Sequence, residues 1–239
     1  MFDVNEWLKR QDIYEQEAKY LNNGILLVRH RESGDWFKLK YADQASTKYL
    51  LSQETLWLRR SSRCQPVKCY LSESKADYQL LIMDYLKGKS VSELLKVNPN
   101  KVNEQDIMLS LFHNIKNLHE QGIIHNDIKP SNIIVKDKVV NLIDFASSGW
   151  INQKYTSKQY QSYTLAFSLP ECYLRESFQP ISDWYAFFLM LDLLKTDEVL
   201  ALSNVNINDF VRYQEQLIRS YQFVNQIEKN LIKQLNSIA

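Results

Sequence analysis

The sequence has few cysteines, and they do not form a recognisable set. Cys64, Cys69 and Cys172 are odd in number and show no metal-ligand spacing. This argues against a disulfide scaffold and a zinc site, and it predicts free thiols in a reducing compartment. The chain also lacks a basic block and an acidic tail, and its formal net charge is only +1. Nucleic acid is therefore not expected as a partner.

Long apolar runs, repeats and low-complexity linkers are absent as well. No apolar run approaches the length of a transmembrane helix, so we expect no membrane span. The first residues contain neither a basic n-region nor an apolar h-region, which predicts a cytoplasmic protein. Export by a route without such a signal stays open. With 239 residues and 45% hydrophobic side chains, the chain can form one large domain or two smaller lobes.

Hydrophobic patterning predicts a β-rich part followed by a helical part. Four short strands are indicated over residues 25–30, 36–42, 68–71 and 78–83. One helix is predicted over 47–60. Farther along, Ser90 and Glu93 have the spacing of a capping box. Another helix, with Asn103 as its candidate N-cap, is predicted to end at Gly122.

The stretch 125–132 concentrates polar side chains that can carry out chemistry. A strand–turn–strand pattern follows it and ends at Asp144. Asp127 can accept a proton from an attacking hydroxyl, and Lys129 can lie beside a transferring phosphate. Asn132 and Asp144 offer hard oxygen ligands suited to Mg²⁺. The pattern therefore predicts a phosphoryl-transfer site, in which we expect Asp127 to be exposed.

Residues 125–132 and the tripeptide 144–146 resemble the catalytic loop H-R-D-x-K-x-x-N and the D-F-G motif of eukaryotic-like protein kinases. The resemblance implies an α+β, bilobal fold. A small β-rich N-lobe with one helix would comprise residues 1–84, and a reduced helical C-lobe would comprise residues 85–239. The resemblance also implies ATP and Mg²⁺ as cofactors and a Ser or Thr hydroxyl of a protein substrate as the acceptor.

The strand 36–42 resembles the V-A-I-K strand of the family, which implies that Lys40 binds the nucleotide phosphates. Glu54 is the only acid in the helix that follows and is the implied partner of Lys40. Lys38 stands where the family usually has an alanine that roofs the adenine, so Lys38 as the working lysine stays open. We prefer Lys40 because the hydrophobic neighbours then share one strand face, namely Phe37, Leu39 and Tyr41.

The rest of the nucleotide site is implied by weaker matches. Residues 21–28 stand where the family carries G-x-G-x-x-G-x-V, and only Gly24 and Val28 match that pattern. Glycine in such a loop lets backbone amides approach phosphates closely. The resemblance adds Met83 as gatekeeper, the backbone of Asp84 and Leu86 at the adenine edge, and Ile134 in the nucleotide pocket.

Two later segments resemble the end of the activation segment and the αF helix of the family. The resemblance implies that Thr164 hydrogen-bonds Asp127 and Lys129. Residues 169–171 resemble the A-P-E platform that holds a peptide substrate. The partner of the platform glutamate is left open between two arginines, Arg212 and Arg219. Asp183, near the start of the αF-like helix, would hold the backbone of the catalytic loop.

Asn126 replaces the arginine that, in the family, pairs with a phosphate on the activation segment. Asparagine cannot form such an ion pair, which predicts activity without phosphorylation of residues 147–164. If phosphorylation does matter, Lys154 or Lys158 would supply the missing cation. Ala146 replaces the glycine of D-F-G and restricts the backbone there, which predicts that the motif does not flip out.

Three functions compete at this point. Two features favour a protein Ser/Thr kinase: Lys129 lies two residues after Asp127, and residues 169–171 resemble a platform for a peptide substrate. The first alternative is a small-molecule kinase acting on a sugar, an aminoglycoside or a lipid-core saccharide, because such enzymes often lack the arginine after the histidine. The second is a pseudokinase scaffold, favoured by the missing glycines and by Lys38. The sequence does not predict the oligomeric state.

Overall fold

The structure, a computed structural model, describes residues 2–22, 24–97, 104–168 and 176–196. Four predicted features lie outside the described residues: the Asn103 cap, the 169–171 platform, Arg212 and Arg219. The chain divides into two compact units. The first comprises Met1–Lys87, Ile143–Ser148 and Lys158–Ser162, and the second comprises Gly88–Leu142, Gly149–Ser157 and Tyr163–Ala239.

The described elements confirm the α+β fold class. Strands dominate the first unit, and the two longest helices lie in the second unit. The predicted lobe boundary after residue 84 stays a prediction. In the part of the chain that the structure describes, no helix has both the length and the apolar character needed to cross a membrane.

An antiparallel sheet of five strands organises the first unit. The strands are β1 Lys19–Asn22, β2 Ile25–Arg29, β3 Trp36–Ala42, β4 Cys69–Ser74 and β5 Gln79–Asp84, and the helices are α1 Val4–Lys9 and α2 Ala45–Arg60. The strand order is β1-β2-β3-β5-β4. Each predicted strand and the predicted helix is present. Strand β3 has its predicted bounds, and the ends of the other elements differ from prediction by at most three residues.

The strand register divides this sheet into two faces, because side chains alternate along a strand. Residues aligned across β2, β3 and β5 define the two faces. The outer face contains Leu26, Leu39 and Ile82, and the inner face contains Leu27, Lys38 and Met83. The outer-face residues are fully buried. Phe37 and Tyr41 pack against the same cluster, so the predicted hydrophobic face of β3 is the outer one.

Helix α1 covers the outer face of the sheet. Trp7 and Leu8 are buried in one hydrophobic cluster with the outer-face residues. Asp3 caps the helix by accepting hydrogen bonds from the backbone N–H groups of Asn5 at 2.9 Å and Glu6 at 3.2 Å. Sequence reasoning missed α1, although Asp3 with Glu6 three residues later is a signature of a helix N-terminus.

Truncation of Trp7 to alanine is expected to lower the free energy of unfolding by about 3–5 kcal/mol, the usual range for a buried tryptophan. Trp7 is 8% exposed, and its Nε1 donates a 3.0 Å hydrogen bond to Glu73. Denaturant titration of Trp7→Ala beside Lys9→Ala, an exposed control in the same helix, measures the difference. A loss below about 1 kcal/mol, typical of surface positions, would mean that α1 does not stabilise the sheet.

The buried side of α2 contains a carboxylate. Glu54 is 2% exposed and lies among Leu51, Trp57 and Leu58, which are also buried. An ionised carboxylate is tolerated in such a place only with a charged or hydrogen-bonding partner. The packing of α2 therefore requires a cation next to Glu54.

Among the described residues, the second unit contains three of the five α-helices, one two-stranded sheet and one three-stranded sheet. Its elements are β6 Lys89–Ser90, α3 Val91–Val97, α4 Glu104–Glu120, β7 Ile123–Ile124, β8 Ile133–Lys136, β9 Val139–Leu142, β10 Gly149–Trp150 and α5 Pro180–Thr196. The predicted capping box is present, since Ser90 N–H donates to Glu93 at 2.7 Å and Glu93 N–H donates to Ser90 Oγ at 3.2 Å. Gly122, with φ +75°, follows α4 as predicted.

Two features of the second unit position the stretch 125–132, named the catalytic loop below. The loop lies between β7 and β8, and the β8–β9 hairpin turns through Asp137 and Lys138, both with positive φ, as a two-residue hairpin requires. Helix α5 is buried over residues 181–191. It therefore forms a core on which the loop can be fixed.

Candidate active site

Asp183 of α5 fixes the backbone of the catalytic loop. Its fully buried carboxylate accepts hydrogen bonds from the backbone N–H groups of His125 at 2.8 Å and Asn126 at 2.7 Å. Nε2 of His119 lies 2.9 Å from the same carboxylate. A buried carboxylate needs such donors, and these two backbone bonds hold Asn126 in a left-handed conformation, φ +64°. The contact predicted for Asp183 is thus present.

Asp127 is the centre of a network that joins three other predicted site residues. Its Oδ2 accepts hydrogen bonds from Lys129 Nζ at 2.7 Å and Asn132 Nδ2 at 3.0 Å, and its Oδ1 accepts one from Thr164 Oγ1 at 2.9 Å. Lys129 also donates to Thr164 Oγ1 at 2.8 Å. Asp127 is only 7% exposed, so the expectation of an exposed side chain was wrong. The surrounding donors compensate its burial.

The contacts of Asn132 determine which of its amide atoms can bind a ligand. Nδ2 donates to the backbone oxygen of Asp127 at 2.9 Å as well as to its carboxylate. The amide oxygen is therefore the atom suited to a metal ion. Among the described residues, no group of three or more His, Cys, Asp or Glu side chains could hold a metal ion. Mg²⁺ that is also bound by substrate phosphates needs only one or two protein ligands.

Lys40 is the cation that pairs with Glu54 in the first unit. Its Nζ lies 2.6 and 2.7 Å from the two carboxylate oxygens of Glu54 and 3.9 Å from Oδ1 of Asp144. Burial disfavours the charge of Lys40, but Glu54 and Asp144 outweigh burial and raise the pKa of the amine. Asp144 itself is in the left-handed region, φ +67°. The geometry therefore selects Lys40, and not Lys38, as the partner of Glu54.

Comparison with known proteins identifies the family. The sequence matches the protein kinase domain over residues 23–238. The chain belongs to the protein kinase family. The chain is 33% identical to the serine/threonine-protein kinase ppk31 of Schizosaccharomyces pombe over 151 residues, which are 57% of this chain. It is 27% identical over 213 residues, 84% of its chain and 76% of the relative, to serine/threonine-protein kinase 1 of Heliothis zea nuclear polyhedrosis virus.

A solved structure shows the same fold. The kinase PK-1 of Cydia pomonella granulovirus superimposes with a TM-score of 0.64 at 18% identity, over 90% of this chain and 78% of that chain. The predicted protein-kinase-like fold is thereby confirmed. The relatives above confirm the resemblance to serine/threonine kinases. The chain is shorter than some relatives: the matches cover 14% of the length of ppk31 and 20% of the length of pakE from Dictyostelium discoideum.

Two residues predicted to cover the nucleotide have other local roles in this structure. Val28 belongs to the outer-face cluster under α1 and is fully buried, so its assignment to the nucleotide was wrong; alternation along β2 gives the inner face to Leu27. Gly24 has φ +77°, and a Cβ there would lie 2.7 Å from the backbone oxygen of Tyr41. Backbone packing at this hairpin therefore requires glycine, independently of any role of Gly24 in binding phosphate.

The predicted adenine-binding residues occupy the end of β5 and the strand β8. Met83 is 2% exposed on the inner face of the five-stranded sheet. The carboxylate of Asp84 accepts hydrogen bonds from Lys68 N–H at 2.7 Å and Tyr70 Oη at 2.8 Å, which ties the end of β5 to β4. Leu86 and, in the second unit, Ile134 are half-buried. Their contact with adenine stays a prediction.

Sequence reasoning missed a tyrosine that contacts Asn126. Tyr155 Oη donates to Oδ1 of Asn126 at 3.2 Å, and its ring lies 4.2 Å from the ring of Phe178. Lys158, a candidate replacement for the missing arginine, is buried and donates to the backbone oxygen of Ser148. Burial lowers the pKa of Lys158 to about 8. Lys158 is therefore committed to a backbone contact.

Proposed function

We propose that this chain transfers the γ-phosphoryl group of ATP, with Mg²⁺, to a Ser or Thr hydroxyl of a protein substrate. The observation that carries the proposal is the triangle of Asp127, Lys129 and Thr164, with three contacts of 2.7 to 2.9 Å. Relatives that are serine/threonine-protein kinases support the same acceptor class. We also propose a cytoplasmic location, which the odd number and the spacing of the cysteines support.

Asp127 is proposed to accept the proton of the acceptor hydroxyl. Its two oxygens are oriented by Thr164 on one side and by Lys129 and Asn132 on the other. A base held in one orientation accelerates transfer because no reorganisation is needed when the hydroxyl arrives. Lys129, which contacts Asp127 directly, is proposed to stabilise the transferring phosphate through its positive charge.

The nucleotide side of the reaction is proposed to depend on Lys40. Glu54 holds its ammonium group in place, and this preorganisation lets the cation stabilise phosphate charge at little entropic cost. The amide oxygen of Asn132 and the carboxylate of Asp144 fit the hard-ligand preference of Mg²⁺. When bound, Mg²⁺ would neutralise negative charge that develops on the phosphates.

The acceptor class can be tested by phosphoamino-acid analysis of the chain after incubation with labelled ATP. Among nearby hydroxyls, Ser147 and Ser148 are buried, whereas three are accessible for self-labelling: Thr156, Ser157 and Ser162. We expect phosphoserine or phosphothreonine. Phosphotyrosine alone would overturn the acceptor class, and a labelled sugar or aminoglycoside without labelled protein would replace the proposal by a small-molecule kinase.

Activity is expected to be independent of phosphorylation in residues 147–164. Asn126 cannot pair with a phosphate, and it already contacts Tyr155, which is 8% exposed. Protein treated with phosphatase should therefore keep its rate to within roughly twofold, since no phosphate–arginine contact is lost. A loss of more than about tenfold would indicate a cation that acts where the family uses arginine. A matched untreated sample and a phosphatase-removed control complete the assay.

A further inference from the structure

Lys38 lies on the same sheet face as Lys40, although the family usually has alanine at its position. In the register of the sheet, Lys38 is aligned with Leu27 and Met83 on the inner face. Residues two apart in a strand point to the same side and are roughly 6.5 Å apart. The inner face of β3 therefore presents two amines in succession, and Lys38 is the one closer to the Met83 end of β5.

The two lysines differ in their partners. Lys40 is bound by Glu54 and has Asp144 at 3.9 Å, whereas Lys38 is half-buried and its side-chain amine makes no ion pair or hydrogen bond within the described residues. Burial and the charge of Lys40 lower the pKa of Lys38, while Glu54 and Asp144 act in the opposite direction. A half-buried ammonium group without a counter-ion is destabilising, and a bound anion would offset that cost.

The neighbouring hairpin supplies a reason for an additional cation. Strand β1 ends at Asn22 and β2 begins at Ile25, so two residues join them. Gly24 is the only glycine there, and its backbone oxygen accepts a hydrogen bond from Tyr41 N–H at 2.8 Å. Glycine-rich loops bind phosphates through several closely approaching amides, and this hairpin has fewer glycines for that task.

A purely structural role for Lys38 would be to cover apolar surface with its methylene groups while the amine reaches water. That role fits an exposed strand position. It does not fit a strand position between buried Leu27 and buried Met83, beside a second lysine that raises the cost of the charge. The position is explained if an anion is present when the protein works.

We propose that Lys38 is a second cation of the nucleotide site and binds a phosphate oxygen of ATP. This inference rests on the proposed function, because it assigns the anion to the nucleotide. Lys38 lies nearer than Lys40 to the end of β5 where adenine is expected to bind, so its target is a phosphate close to the nucleoside. ADP should therefore use Lys38 as ATP does, and adenosine should not.

Calorimetric titration of ATP, ADP and adenosine into the whole chain tests the proposal. Replacing Lys38 with methionine should weaken ATP and ADP about tenfold, the scale of one hydrogen bond to a charged group. Adenosine binding should change less than about twofold. Lys38→Arg should keep ATP affinity, because it keeps the charge. Lys68→Met, an exposed lysine of the same unit, is the matched control and should bind all three ligands as the wild type does.

The kinetic effect should fall on affinity rather than on the chemical step. Loss of binding that is equal in ground and transition states raises KM and leaves kcat unchanged, so Lys38→Met should transfer phosphate at nearly the wild-type rate when ATP is saturating. Unchanged ATP affinity in Lys38→Met would overturn the proposal, and so would an equal loss for ATP and adenosine. A wild-type chain that binds no ATP would instead overturn the proposed function.

Folding of the variants is checked by thermal unfolding before titration. If Lys38→Met unfolds at a much lower temperature than the wild type, Lys38→Arg and Lys38→Gln decide the question. The proposal requires that ATP affinity is kept with arginine and lost with glutamine. Equal ATP affinities in these two folded variants would show that the charge does not act on phosphate.

Discussion

Asp127→Asn is expected to lower the rate of phosphoryl transfer by about a hundredfold to ten-thousandfold, the usual contribution of a positioned general base. Asparagine keeps the volume of the side chain but cannot accept the proton. Its amide group would also place a donor among the donors that now meet the carboxylate, namely Lys129, Asn132 and Thr164. The kcat at saturating ATP and acceptor measures the effect.

Asp137→Asn is the matched control for Asp127→Asn. It makes the same chemical change at an exposed turn with φ +51°, where asparagine is tolerated. Because Asp127 is buried in a network, some loss of stability is expected in Asp127→Asn, and thermal unfolding must show that the variant is folded at the assay temperature. A folded Asp127→Asn protein with the wild-type kcat would rule out Asp127 as the base.

Lys40→Met is expected to reduce the rate of transfer by about a hundredfold to a thousandfold, as loss of one preorganised charge-stabilising group does in other enzymes. It should also destabilise the fold by about 3–5 kcal/mol, because Glu54 would remain buried without its partner. The double variant with Glu54→Gln should recover most of that stability and none of the rate. This separation distinguishes a role in transfer from a structural role.

The comparison of Lys40→Met with Lys38→Met decides which lysine serves the chemical step. Both amines lie on the inner face of β3, but only Lys40 contacts Glu54 in the described structure. We expect Lys40→Met to lose kcat and Lys38→Met to lose affinity for ATP. An active Lys40→Met beside a Lys38→Met protein without measurable kcat would reverse the two roles.

The sequence predicted the parts of the fold that depend on local patterns. Strands with alternating or apolar runs, the helix α2 and the Ser90 capping box are all present. Their signals are short-range, since hydrogen bonds and hydrophobic periodicity of neighbouring residues produce them. The order of site residues along the chain was equally informative, because the catalytic loop is one continuous segment.

The errors arose where long-range packing decides the outcome. Val28 was placed on the nucleotide side because its spacing fits the family pattern, but α1 covers the other face of β2 and buries Val28 there. Asp127 was expected to be exposed, but it is buried, and one of its contacts is with Thr164, which is distant in sequence. Tyr155 was missed for the same reason, since no local pattern links it to Asn126. A shift of one residue in a strand reverses the face of every side chain.

The most direct test of the account is transfer of labelled phosphate from ATP, with Mg²⁺, to a panel of protein acceptors and sugars, by wild type and by Asp127→Asn. The account predicts labelled serine or threonine on protein with wild type and a loss of about two to four decades with the variant. Protein labelling that is equal with both chains would contradict it, and so would label found on a sugar alone.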